Sequence, residues 1–459
     1  MMRQFSLLEA AGWMGASGGV KDGYFSGVST DTRSLQSGDL FVALRGENFD
    51  GHRFIEMAEQ AGAVAAVVDE CNTTCTLPQL QVADTTAALA DLAQGNRRES
   101  RARVVAITGS SGKTTVKEMV ASILQQVDST LATQGNLNNH IGVPLTLFRL
   151  TPTHRFAVIE LGASGLGEIA HTVAIVRPDV AIITNAAEAH LEGFGSYGNV
   201  VQAKGEIIDG VPALGSVILN HDDAAFDQWR QRAGNRKVVT VTGHTDGQSG
   251  QSVDYRCDDW SIVDAEQRMR VQGPDRWSCN VSLSLLGDHN RLNALLAIAA
   301  ARELGVDNQA IQAGLAAIQP VPGRLQPIVL SPDVVVIDDS YNANPASMRA
   351  ALSVLASRPG NRIVVLGAMA ELGPDADRLH REVGAFAKAL GIVQLLAVGD
   401  GAKGYLAGFG EGGRACHDHG EAIEFLKQQL AAPVTVLVKG SRSSAMNVVV
   451  EGIQHKVTR

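Results

Sequence analysis

From about Val104 onward, short β-branched runs alternate with amphipathic stretches, the pattern of a parallel α/β architecture. Strands are expected at Val104 to Ile107, Phe156 to Glu160, Val180 to Thr184 and Val217 to Asn220. A second series is expected at Val334 to Ile337, Ile363 to Leu366, Leu395 to Val398 and Val434 to Val438. Two series imply two sheets. Between them lie a polar stretch from about Gly243 to Ser278 and a helical run from Leu292 to Leu304. Gln319-Pro320-Val321-Pro322-Gly323 then stiffens the chain and breaks regular structure, which places a boundary there. The first 85 residues alternate less regularly and read as a further unit. The expected organisation is α/β in three domains: a small N-terminal α/β domain (1–85), a central domain on a mostly parallel sheet (86–318) and a C-terminal Rossmann-like α/β domain (319–459).

The first strand of the central series runs into Thr108-Gly109-Ser110-Ser111-Gly112-Lys113-Thr114-Thr115. A helical pattern follows, with Val116, Met119, Val120, Ile123, Leu124 and Val127 at spacings of three and four. Strand, glycine-rich turn and helix occur in the order a phosphate cradle (P-loop) requires. The glycines let backbone N–H groups face oxyanions, the helix start adds its positive dipole end, Lys113 supplies a cation and Thr114 offers a hydroxyl to Mg²⁺. The loop departs from the general P-loop pattern, whose first glycine would fall at Ile107.

The length of 459 residues, at roughly 150 per domain, agrees with three domains. A formal charge of −9 argues against broad binding to nucleic acid or anionic membranes, so an anionic ligand must be held by local positive sites. The five cysteines are too few and scattered for a disulfide framework. No apolar run approaches the ~18 residues of a membrane span, and Met1 to Gly15 makes a poor signal peptide. The expected compartment is the cytoplasm.

Other polar residues close the predicted strands, where open α/β sheets place ligands. Glu160 ends its strand, an awkward place for a charge unless it meets a metal or substrate. Asn185 follows the next strand, and His190 comes five residues later. Lys204, in Ala203-Lys204-Gly205-Glu206-Ile207, reads by itself as a solvated helix lysine. Gly408-Phe409-Gly410-Glu411-Gly412-Gly413 matches the dinucleotide fingerprint in letters but follows no predicted strand, so a flexible loop is expected. Neither Cys416-His417-Asp418-His419 nor Cys71-Asn72-Thr73-Thr74-Cys75 has a second ligand pair at a recognised metal-site spacing.

Taken together, the chain resembles the Mur ligase family, the ATP-dependent amide-bond-forming enzymes of peptidoglycan precursor synthesis. The resemblance covers nearly the whole chain and includes the short P-loop itself. It rests further on Gly135-Asn136-Leu137-Asn138-Asn139 with Gly142-Val143-Pro144, on Leu286-Gly287-Asp288-His289-Asn290 with Asn293, and on Pro322-Gly323-Arg324. Asp338 to Met348, Glu371-Leu372-Gly373 and Lys439-Gly440-Ser441-Arg442 point to the branch that adds D-alanyl-D-alanine, and the Asn-Pro-Arg motif of the diaminoacid-adding branch is not found. Ser29 to Arg33, Gly38 to Leu44 and Phe49 to His52 look like the family's nucleotide-sugar-binding domain. Ser164 to Glu168 lacks the proline that relatives often carry before the glycine.

The resemblance implies that Gly109 to Thr115 bind ATP, that Thr114 and Glu160 hold one Mg²⁺, and that Lys204, carbamylated, holds a second beside His190. Lys113, His190 and Lys204 would be the catalytic set. It further implies that Asn290 reads adenine and that Arg324 and Asp339 reach the nucleotide. Thr32, Arg33, Asp50, His52, Asn136, Asn138 and Asn139 would contact the UDP-linked substrate, and Asn342, Asn344, Ser441 and Arg442 the acceptor side. The implied substrates are UDP-N-acetylmuramoyl-tripeptide and D-alanyl-D-alanine; apart from the resemblance, a monomer with no nucleic-acid partner is expected. His380 and Glu371 are candidate bases for the acceptor amine, with His380 read more readily as a helix-surface residue. Two other readings compete: a folylpolyglutamate synthetase, which the long N-terminal unit disfavours, and a P-loop ATPase switch without synthetase activity, which the second metal site and the Asp338 to Met348 motif disfavour.

Overall fold

The computed structural model describes residues 2–17, 23–244, 253–263, 266–285, 287–430 and 433–457. Leu286, first residue of one family motif, and parts of the 243–278 stretch lie outside them. The architecture is mixed α/β, built on three principal sheets.

The N-terminal sheet has four parallel strands in the order Gly27–Ser29, Asp39–Val42, Ala65–Val68, Gln79–Gln81. Alternate side chains feed opposite faces: Leu40, Val42, Ala65 and Val67 join the core shared with the central unit, whereas Phe41, Ala43, Ala66 and Val68 pack under the helix Ile55–Gln60. The expected boundary at residue 85 falls at the start of the helix Thr85–Glu99. That helix packs on Leu7–Met14 on one side and on Gly142–Leu147 and Glu168–Val176 on the other, so it ties the two units together.

The central sheet has nine strands, in the order Thr130–Ala132, Phe156–Glu160, Arg103–Thr108, Val180–Ile183, Ser216–Asn220, Lys237–Thr242, Tyr255–Val263, Glu266–Gln272, Ser278–Leu283. Pairing is parallel as far as Tyr255–Val263, and the last two pairings are antiparallel. The polar stretch from Gly243 to Ser278 therefore contributes strands rather than only separating the two series. In Glu266–Gln272 the buried Gln267, Met269 and Val271 alternate with exposed neighbours, the pattern of a half-buried antiparallel strand. The parallel strands are buried on both faces. Val105, Ile107, Val158 and Ile182 face the helices Lys113–Gln125 and Asp288–Glu303, and Ala106, Ile159, Ile183 and Leu219 face the opposite layer.

The C-terminal sheet orders its strands Gln326–Ser331, Val334–Asp339, Val434–Lys439, Asn361–Leu366, Gln394–Val398, Gly413–Cys416, and only the first pairing is antiparallel. Gly408 to Gly413 is a loop only at Gly410, Glu411 and Gly412. Its first two residues end the helix Lys403–Phe409, and its last begins a strand. A Cβ at Gly408 would lie 1.9 Å from the Arg381 carbonyl oxygen, so close helix packing, not nucleotide binding, accounts for that glycine. Among the described residues no helix is long and apolar enough to cross a membrane.

Candidate active site

The phosphate loop begins where the strand Arg103–Thr108 ends. Gly109 has φ 147° and Gly112 φ 79°, and a Cβ on Gly109 would lie 1.9 Å from Thr184 Oγ1, so the turn has no room for a side chain there. Asn185 shapes the loop from the neighbouring strand: its carbonyl accepts from the Ser110 N–H and its Oδ1 from the Ser111 N–H, both at 3.0 Å. Thr184 donates to the Ser111 carbonyl at 2.6 Å. The helix Lys113–Gln125 then offers the open amides of its first turn. Lys113 Nζ donates to the Gly109 carbonyl at 2.7 Å. Burial pushes its ammonium below the usual lysine range, Glu160 opposes this, and Arg324 of the C-terminal unit adds to it. Two cations from different units therefore share one field, a preformed place for an anion.

Beside the loop, Thr114 Oγ1 donates to Glu160 Oε2 at 2.9 Å and Asn138 Nδ2 to Glu160 Oε1 at 2.8 Å. The Glu160 N–H is satisfied by Thr133 Oγ1 at 3.0 Å. A carboxylate only 2 % exposed is thus held between a hydroxyl and an amide. Hydroxyl and carboxylate are hard oxygen donors of the kind Mg²⁺ prefers, with the remaining positions left to phosphate oxygens and water.

Lys204 lies on the helix Tyr197–Asp209 and is 2 % exposed, so the reading of it as a solvated helix lysine does not hold. Val200, Val201, Ile207 and Ile208 are buried on the same helix. Its Nζ stands 5.0 Å from the Phe194 ring centroid, and no carboxylate among the described residues lies within ion-pair distance. Burial, reinforced by the charge of Lys113 and opposed by Glu168 and Glu206, brings its ammonium down to about 7. An amine that is substantially neutral near pH 7 can be carbamylated, which fits the ligand role implied for it. Glu206 was not foreseen; it anchors the helix Glu168–Val176 by accepting from the N–H groups of Gly167 and Ala170. His190, at φ 55°, bonds Glu371 of the C-terminal unit through Nδ1.

The C-terminal unit forms the facing wall. Asp339 pairs with Lys439 at 2.7 Å and accepts from the Leu325 N–H at 3.1 Å. Burial pushes its carboxyl up, with Lys439 pulling it back. Lys439 also donates to the Asn342 carbonyl at 2.7 Å. Arg324 stacks on Tyr341 at 4.3 Å. Asn344 caps the helix Pro345–Ala356 by accepting from the Ser347 N–H at 2.8 Å. Asn290 Oδ1 accepts from Asn293 Nδ2 at 3.1 Å. Next to it, burial brings His289 down to about 4, so its imidazole is neutral.

These walls enclose a cleft of about 1260 Å³. It brings together Ser110 to Thr115, Asn136, Asn138, Asn139, Glu160, His190, Asn290, Arg324, Asp339, Asn342, Asn344, Lys439, Ser441 and Arg442, and adds Glu168 and His289. Gly109 and Lys204 are not among its lining residues. Thr32, Arg33, Asp50 and His52 are outside it, in the N-terminal unit. There Arg33 pairs with Asp31, and His52 links Asp50 and Asp69 at 2.8 and 2.9 Å. His380 is buried, not on a helix surface. Its Nε2 accepts from the Met369 N–H at 2.9 Å and its Nδ1 bonds the Ala376 carbonyl at 2.6 Å, which leaves neither nitrogen for an acceptor amine. His419 and Asp418 are likewise engaged, by the Ser444 carbonyl and the Glu421 N–H.

Models described as Mur ligase family catalytic domain, Mur ligase middle domain and Mur ligase glutamate ligase domain match residues 24–97, 107–301 and 323–442. The UDP-N-acetylmuramoyl-tripeptide–D-alanyl-D-alanine ligase of Escherichia coli (strain K12) is 46% identical over 433 residues, 94% of each chain. A crystal structure of MurF from Acinetobacter baumannii superposes with a TM-score of 0.92 at 34% identity, covering 99% of this chain and 100% of that one. The MurF ligase from Thermotoga maritima in complex with ADP gives 0.82 at 26% identity, covering 94% and 97%. With the P-loop, the Glu160 cradle and the facing C-terminal wall in one cleft, and relatives of this identity along nearly its whole length, the chain belongs to the Mur ligase family.

Proposed function

We propose that this chain is the ATP-dependent ligase that joins D-alanyl-D-alanine to UDP-N-acetylmuramoyl-tripeptide, giving UDP-N-acetylmuramoyl-pentapeptide, ADP and phosphate in peptidoglycan precursor synthesis. The observation that carries the reading is the shared cleft: Lys113 and the Thr114–Glu160 pair on one wall face Arg324 and the Asp339–Lys439 pair on the other. A carboxylate is a poor electrophile, so it must be activated before an amine can displace oxygen. Transfer of the γ-phosphoryl group to the tripeptide carboxylate makes an acyl phosphate. The acceptor amine then attacks through a tetrahedral intermediate, and phosphate leaves.

In this reading residues 1–85 bind the UDP-substrate through Thr32, Arg33, Asp50 and His52, residues 86–318 bind ATP, and residues 319–459 bring the acceptor. Gly109 to Thr115 cradle the phosphates, with Lys113 offsetting charge on the transferring group. Asn290 reads the adenine, and Arg324 and Asp339 reach the nucleotide from the C-terminal unit. Asn136, Asn138 and Asn139 orient the UDP-substrate, and Asn342, Asn344, Ser441 and Arg442 hold the D-alanyl-D-alanine. Thr114 and Glu160 would hold one Mg²⁺, and His190 with carbamylated Lys204 a second; bound there, the ions neutralise phosphate charge. Among the described residues no three His, Cys, Asp or Glu side chains cluster, so nucleotide oxygens would supply much of the coordination. In this reading the enzyme works in the cytoplasm as a monomer.

Phosphate release from ATP and Mg²⁺, with each co-substrate omitted in turn, tests the reading. Release should require both UDP-muramoyl-tripeptide and D-alanyl-D-alanine, and should vanish in a folded Lys113→Ala variant. Release with neither substrate present would mean an ATPase switch, and release that needs a folate and glutamate would mean a folylpolyglutamate synthetase.

A further inference from the structure

His190 finds its partner across the gap between the central and C-terminal units. Its Nδ1 bonds Glu371 Oε2, and the Glu371 carbonyl accepts from the Glu192 N–H at 3.2 Å. Both residues have left-handed backbones, φ 55° at His190 and φ 59° at Glu371. For a non-glycine residue that conformation is unfavourable and persists where surrounding structure enforces it, often at functional sites.

The loop that carries Glu371 is held from several directions. The Met369 N–H donates to His380 Nε2 at 2.9 Å, the Ala368 carbonyl accepts from the Ser441 N–H at 3.0 Å, and the Gly367 carbonyl accepts from the buried Tyr405 hydroxyl at 3.1 Å. Buried His380, which has no part in the chemistry, thus has a role in supporting the loop. A carboxylate on Nδ1 sets one imidazole tautomer and leaves the Nε2 lone pair available, the arrangement found behind metal-binding histidines.

We infer that Glu371 is a positioning residue for His190. It holds the tautomer in which Nε2 is the acceptor. Because it belongs to the C-terminal unit, the second cation site is complete only when that unit meets the central one. The inference rests on the reading of His190 as a Mg²⁺ ligand.

The test is Mn²⁺ binding to the full chain with ADP and UDP-muramoyl-tripeptide, followed by electron paramagnetic resonance, with small-angle scattering on the same samples. Wild type should bind a tighter and a weaker Mn²⁺, and His190→Ala should lose the weaker. Glu371→Ala should weaken that site about ten- to a hundredfold, leave the tighter site unchanged and keep the liganded dimensions of wild type. Glu371→Gln, which retains an acceptor oxygen, should fall between. If His190→Ala keeps both ions, the ligand reading of His190 fails. If His190→Ala loses one ion while Glu371→Ala binds both as wild type does, the positioning role alone is overturned. It is overturned too if Glu371→Ala leaves the molecule expanded, since the contact would then be only a latch.

Discussion

Lys204 is the residue at which chemistry and burial are most sharply opposed. Its ammonium is 2 % exposed with no carboxylate in ion-pair reach among the described residues, an arrangement that costs free energy unless the charge is lost or inverted. Carbamylation inverts it and needs the neutral amine. With the ammonium brought down to about 7, the neutral fraction grows as pH rises through 7 and falls below it. A carbonyl resonance from ¹³CO₂ on Lys204 should therefore be strong near pH 8 and fade toward pH 6. Lys204→Ala should lose most turnover, with partial recovery when acetate fills the vacated carboxylate position. Wild-type turnover of that variant at limiting Mg²⁺ would return Lys204 to a packing role. The burial was legible in the helix period, since Val200, Val201, Ile207 and Ile208 surround it at spacings of three and four. His380 follows the same rule, lying among buried Leu379, Val383, Gly384 and Ala387. In both cases a titratable side chain suggested the surface while the periodicity placed it inside.

At the scale of elements, the eight expected parallel strands, such as Phe156–Glu160 and Val434–Lys439, were readable because burial on both faces makes them continuous apolar runs, whereas parallel strands with fewer buried residues, such as Thr130–Ala132 and Gly413–Cys416, were not. Tyr255–Val263 and Glu266–Gln272 were not readable either, because strands paired antiparallel with one wet face dilute their apolar residues with Asp, Arg and Glu. The P-loop was legible as a strand–turn–helix unit, but its support by Thr184 and Asn185 depends on a neighbouring strand that only the sheet order brings close. Asn344 carries two possible roles at one element boundary, helix cap and acceptor contact. Loss of the cap in Asn344→Ala should cost about 1 kcal/mol of stability. Asn344→Asp keeps a capping oxygen and should restore the melting temperature. The same Asp variant should still bind D-alanyl-D-alanine poorly, seen as a raised KM, if the amide also serves the acceptor. A KM restored along with stability would leave the residue as a cap alone.

The whole molecule works as a divided site. The cleft is lined from two sheets, with Lys113, Thr114 and Glu160 on the central unit and Arg324, Asp339 and Lys439 on the C-terminal one, and the His190–Glu371 bond with the Glu192-to-Glu371 backbone contact shows the two units touching. A split cleft must open to load and close to react, which excludes water from the acyl phosphate. Small-angle scattering should show a more compact particle with nucleotide and UDP-substrate bound than without, by hinge motion near Gln319 to Gly323; equal dimensions would contradict closure. The central claim is that this cleft activates a carboxylate by phosphorylating it. The most direct measurement uses UDP-muramoyl-tripeptide labelled with ¹⁸O in its terminal carboxylate, followed by mass analysis of the phosphate released during ligation. The acyl phosphate route predicts that each phosphate released carries one oxygen from that carboxylate. Phosphate whose new oxygen comes only from water would contradict it.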